Sequence, residues 1–68
     1  DIESVFGARL VFVSSSAPLY VMTENERRID VGGSIDAQTT LSGLTSDQVI
    51  LEKEGNLIAI ELPAPTAN

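Results

Sequence analysis

The sequence predicts an all-β fold, a small curled antiparallel sheet or partly open barrel of about five short strands. Three observations carry this. The strongest is residues 48–62, where the apolar runs Val49-Ile50-Leu51 and Leu57-Ile58-Ala59-Ile60 flank Glu52-Lys53-Glu54-Gly55-Asn56, the pattern of two strands joined by a tight turn. Elsewhere short β-branched and aromatic runs recur at close spacing between Gly, Pro and Ser punctuation. The opening residues, finally, show no convincing helical period.

In chain order, residues 1–13 begin polar and end in Leu10-Val11-Phe12-Val13, a run suited to a strand buried on at least one face. Gly7 marks a bend, a bulge or a short entry segment, so residues 1–13 read as an N-terminal strand or a linker. Ser14-Ser15-Ser16-Ala17-Pro18 supplies a loop, and Pro18, without an amide donor, sets the start of the next strand at or just after itself. From Leu19 to Thr23 the chain alternates, with Leu19, Val21 and Thr23 on one face and Tyr20, Met22 and Glu24 on the other.

Glu24-Asn25-Glu26 is a polar turn, after which Arg27-Arg28-Ile29-Asp30-Val31 resumes an extended pattern with Ile29 and Val31 inward. Gly32-Gly33 ends that strand, and Ile35 in the following connector is a candidate core plug. Residues 39–44 form a short strand kinked at Gly43. Thr45-Ser46-Asp47 turns into the closing hairpin, where Gly55 and Asn56 are the residue types that tolerate positive φ. Both faces of this hairpin are apolar, which predicts packing from two sides, so it reads as core and not as a site. Residues 1–63 thus form one domain, and residues 64–68, with Pro63 and Pro65 nearby, a disordered tail.

At 68 residues there is one small domain, burying only about 60% of its unfolded surface, and a partner is one way to support such a chain. The absence of Cys and His removes disulfides, thiolate chemistry and the commonest metal ligands. Ten acidic against four basic residues, a net charge of -6, repel phosphate backbones and anionic membrane surfaces. The chain opens at Asp1 and holds no apolar run of spanning length, so it reads as an excised fragment whose targeting signal or anchor belongs to the parent chain.

Candidate chemistry is sparse. Gly32-Gly33 lacks the remaining glycines or the Lys of a phosphate loop. Glu24, Glu26, Asp30 and Asp36 match no calcium loop, and Arg27 and Arg28 lie among them. The hydroxyls of Ser14-Ser15-Ser16 have no base to activate them, and Lys53 is flanked by Glu52 and Glu54. No catalytic residue, metal or cofactor is expected, and Phe6, Phe12 and Tyr20 are too few for a basic stacking groove. What remains is binding through open sheet edges. The candidate partner-binding residues are Leu19, Tyr20, Val21, Met22, Arg27 and Arg28, together with the N-terminal segment.

The run PLYVMTENERRIDVGGSI…TTLSGLTSDQVILEKEGNLIAIELP resembles small periplasmic β-domains of bacterial secretion machines. Two families share its order of hydrophilic turn, R-x-x-x-V-G-like step, short Leu strand and closing V-x-L-E-x-x-G hairpin. One is the homology-region domain of the type II secretion inner-membrane protein of the general secretory pathway C family, related to the pilus-assembly lipoprotein P. The other is a periplasmic portion of the type III secretion inner-membrane ring protein of the Yersinia D family. The similarity covers about residues 17–63, and Val31-Gly32-Gly33 departs from the Gly-Asp or Gly-Glu step of the type II family, which tilts it toward the type III ring protein. It implies a non-catalytic periplasmic scaffold module of an inner-membrane-anchored protein. The implied partners are a ring neighbour or an outer-membrane secretin, with self-association in the parent assembly. Other classes that fit the composition are a structural domain of a surface or phage assembly and, further off, a small ligand- or nucleic-acid-binding barrel.

Overall fold

A computed structural model describes residues 2–62 and gives a helix and six strands: α1 (Ile2–Phe6), β1 (Leu10–Val13), β2 (Tyr20–Thr23), β3 (Arg28–Asp30), β4 (Thr39–Leu44), β5 (Gln48–Lys53) and β6 (Asn56–Glu61). The all-β class stands. The strands form two three-stranded antiparallel meanders, ordered β1-β2-β3 and β4-β5-β6, in place of a single curled sheet, and no barrel closes. The expected tail, residues 64–68, lies outside the described residues.

The N-terminal segment differs from its reading as a strand or linker: residues 2–6 are helical. Ile2, Val5 and Phe6 fall at i, i+3 and i+4, which places them on one helical face, and Ile2 and Phe6 are buried. Gly7 ends the turn at φ +73°, donating its amide to the Glu3 carbonyl at 2.8 Å. The helix thus supplies two apolar plugs to the core that the strands leave open.

One core serves both sheets. Val21 and Ile29 come from the first sheet, Leu41, Val49 and Leu51 from the second, Ile35 from the connector, and Ile2 and Phe6 from the helix. Strand alternation explains the selection, since Val21 and Thr23 point inward while Tyr20 and Met22 point outward. Thr23, although buried, is satisfied because its Oγ1 accepts the Arg27 amide at 3.2 Å. Val31 departs from its expected inward position: β3 ends at Asp30, and Val31 is exposed.

Two devices join the sheets. The Gly32 amide donates to Leu41 O at 2.7 Å and the Leu41 amide to Gly33 O at 2.9 Å, with an isolated bridge between Ser34 and Thr40. Gly33 also sits where an added Cβ would lie 3.0 Å from the Asp30 carbonyl oxygen, so the glycine permits the tight turn that leads from β3 to this crossing. The second device is Arg27, whose Nη2 donates to the Ile35 carbonyl at 2.6 Å and the Ser34 carbonyl at 3.3 Å.

The closing hairpin has the expected strands but a different turn and a different environment. Glu54 (φ 52°) and Gly55 (φ 84°) take the positive values, and Asn56 already pairs with Lys53 as the first residue of β6. Two positive-φ residues between a paired Lys53 and Asn56 make the twist-matching two-residue turn of β-hairpins. β5 carries the core residues Val49 and Leu51, but β6 is open: Leu57 is 68% and Ile58 41% exposed. The expectation that the whole hairpin is core therefore fails for its second strand. β6 is the last strand of its sheet, and among the described residues only Ile60 of its apolar side chains packs against the core, while Leu57, Ile58 and Ala59 are exposed.

Candidate functional site

The outer face of the first sheet gathers a compact group of large side chains. Cross-strand pairing places Phe12 opposite Met22, Met22 opposite Arg28, and Tyr20 opposite Asp30. The Phe12 and Tyr20 rings pack at 5.5 Å between centroids with a 36° tilt. The Arg28 guanidinium lies over the Tyr20 ring, 3.9 Å from its centroid. Asp30 fixes it there through a two-point contact, Nε to Oδ1 at 2.9 Å and Nη2 to Oδ2 at 3.0 Å. That hydrogen-bonded pairing is the main reason the Asp30 carboxyl is held below its ordinary range and the Arg28 guanidinium above its own.

This surface is apolar, aromatic and arginine-bearing, and half of Phe12 and more than half of Val11 remain open to solvent. A pre-set guanidinium over an aromatic ring loses little side-chain freedom when a second surface arrives. Chemically, such a face can stack and pack against apolar groups and donate hydrogen bonds from the Arg28 rim.

Of the residues expected to bind a partner, Tyr20, Met22 and Arg28 lie together on this face. Val21 points the other way and is fully buried, because it is the inward member of the alternation. Leu19 lies apart, lining an open cavity of about 340 Å³ with Val13, Leu44 and Leu62. Arg27 is engaged by backbone carbonyls of the connector. The strand 19–23, expected as an open edge, is central in its sheet, flanked by β1 and β3. Phe12, within the N-terminal segment expected to bind but not singled out there, completes the face; its alternation with Val13 was the available signal, obscured because the bulge at Val11 breaks the period.

Two further acidic residues have local tasks. Glu24 accepts the Arg9 amide at 3.1 Å, and Asp36 accepts the Gln38 amide at 2.8 Å. The Asp36 carboxyl is held low chiefly by that amide and by the Thr39 hydroxyl. Among the described residues no three potential metal ligands come together. The Ser14 hydroxyl donates to the carbonyls of Ser16 and Pro18, stapling the loop around the cis Ala17–Pro18 bond. No helix among the described residues is long and apolar enough to cross a membrane.

β6 presents a second open surface. Lys53 and Asn56, flanking the two-residue turn, form a hydrogen-bonded pair, and the alternation passes through Leu51–Ile58 and Val49–Ile60 to the Leu62 amide, which donates to Asp47 O at 2.8 Å. Leu57, Ala59 and Glu61 therefore direct their backbone N–H and C=O groups away from β5. Compared with protein-family models, curated proteins and solved structures, the chain matches none of them.

Proposed function

We propose that this chain is a non-catalytic protein-interaction module of a bacterial secretion apparatus, working in the periplasm as part of an inner-membrane-anchored protein. The setting is supported by the resemblance of residues 17–63 to periplasmic β-domains of secretion inner-membrane proteins. The binding role is carried by one observation: Phe12, Tyr20, Met22 and Arg28 share the outer face of the first sheet, with Arg28 already held over Tyr20 by Asp30. Tyr, Phe, Met and Arg are the residue types enriched where protein partners meet, and Tyr and Arg dominate the binding energy there. The partner is another component of the apparatus, a ring neighbour or the periplasmic part of a secretin.

The test is capture of purified ring-protein and secretin periplasmic domains by this chain and by its Tyr20→Ser and Arg28→Glu variants. Both side chains point out of the sheet, so the variants are expected to stay folded, Arg28→Glu melting lower because it breaks the Asp30 pairing, while affinity at a temperature where all are folded falls by about 2 kcal/mol, roughly 30-fold. If the parent captures none of these domains and stays monomeric at high concentration, the proposal is wrong. Equal capture by the variants would remove this face as the site.

A further inference from the structure

Each three-stranded sheet ends in two edge strands, and three of these edges carry devices that discourage further pairing. β1 is broken by the bulge at Val11. β3 is three residues long and carries the Arg28–Asp30 ion pair. β4 is bulged at Ser42 and bonded through Leu41 to Gly32 and Gly33. β6 carries none of them. Its register with β5 runs unbroken from Glu61 to Asn56, and its sequence, NLIAIE, has no Pro and no Lys.

We infer that β6 is a strand-addition site for an extended segment of a partner protein, apolar at alternate positions and basic at both ends. The backbone of Leu57, Ala59 and Glu61 offers the hydrogen-bonding row, and Leu57, Ile58 and Ala59 are exposed to receive side chains. Charge selects the occupant. Pairing puts Glu52 beside Leu57 and Gln48 beside Glu61, so Glu52 and Glu61 lie on the same face at the two ends of the Leu57–Ala59 strip. Lys53 alternates to the opposite face. Among the described residues the ion pairs are Arg9–Glu24 and Arg28–Asp30, leaving both of these carboxylates for a newcomer. A second copy is a poor occupant. Antiparallel pairing about Ala59 would set Glu61 of one copy opposite Leu57 of the other, with that copy's Glu52 one strand further on, between molecules that each carry a net charge of -6.

The test uses the full 68-residue chain. Two synthetic seven-residue peptides of alternating Val and Thr, one ending in Lys at both termini and one in Glu, are titrated in while amide exchange is followed by NMR. The Lys-ended peptide should slow exchange at Leu57, Ala59 and Glu61, and the Glu-ended peptide should bind about tenfold more weakly. Glu52→Lys with Glu61→Lys should invert that preference, and Ala59→Pro, which removes an outward-facing N–H, should abolish protection. Tyr20→Ser should leave peptide binding unchanged, which separates this site from the sheet face proposed above. Absence of binding, equal binding of the two peptides, protection elsewhere in the fold, or protection arising from self-association without peptide would each overturn the inference.

Discussion

Replacing Glu54 with Asn should stabilise this protein by about 1 kcal/mol. Glu54 holds φ 52° beside Gly55 at φ 84°, so the two-residue turn between β5 and β6 requires the left-handed region at both positions. For an ordinary L-residue that region costs roughly 1–2 kcal/mol, and Asn lowers the penalty through local side-chain hydrogen bonding. Asn-Gly is also the pair this turn geometry favours. A chain of 68 residues has a total stability of roughly 3–10 kcal/mol, so the gain is a sizeable fraction, equivalent to about 4–8 °C in melting temperature. Charge is the confounding effect, because the substitution also removes one of ten acidic residues. Glu54→Gln is the control: it removes the same charge but keeps a side chain ill suited to positive φ. Thermal and urea unfolding followed by circular dichroism would measure all three proteins. A rise for Gln equal to that for Asn would show that repulsion, not backbone strain, limits the turn. No rise for Asn would refute the strain argument outright.

Leu41→Ala, at a fully buried position in the shared core, should cost about 2–5 kcal/mol, a large part of the total stability; a urea midpoint lowered by less than a fifth would contradict it. Asp36 and Asp30 both have folded-state pKa values below the ordinary 3.8, the first through the Gln38 amide and Thr39 hydroxyl, the second through Arg28. Depressed values mean that the stabilisation is fully present above the unfolded value and is lost as pH falls through the lower folded ones. Melting temperature should therefore fall on acidification below about pH 4, and less steeply in Asp36→Asn; parallel curves for the two proteins would refute the assignment.

The strand pattern was legible because alternation and punctuation coincide at most boundaries. Val21 and Thr23 inward, Ile29 and Ile35 buried, and the kink near Gly43 all follow from residue type and spacing. Three features were not legible, each for a physical reason. The helix Ile2–Phe6 spans little more than one turn, too short for a period to separate from chance, though Ile2, Val5 and Phe6 already sit at helical spacing. The positive φ at Glu54 depends on the two-residue loop length, which pairing of Lys53 with Asn56 imposes against residue preference. The exposure of β6 depends on how far the core extends. Leu57, Ile58 and Ala59 have the composition of buried strand, but only a structure reveals that no layer of the described residues reaches them. The proposed binding face was legible in half: Tyr20, Met22 and Arg28 fell together, while Val21 and Arg27 were drawn in by proximity in sequence, although alternation turns Val21 inward and the connector carbonyls claim Arg27.

The acidity of the chain gains a positional meaning from this arrangement. Read as composition, a net charge of -6 does no more than keep a small domain dispersed. An apolar edge strand without Pro, Lys or a bulge, however, is a template for pairing with the next copy of itself. Glu52 and Glu61 stand at the two ends of that strip on the face such pairing would use, where a like molecule meets repulsion and a basic strand meets attraction. Bulges in β1 and β4 and the shortness of β3 reject every strand equally, whereas among the described residues β6 is guarded only by charge, which rejects some strands and admits others. That difference in kind makes β6 the edge on which a choice of partner can be built.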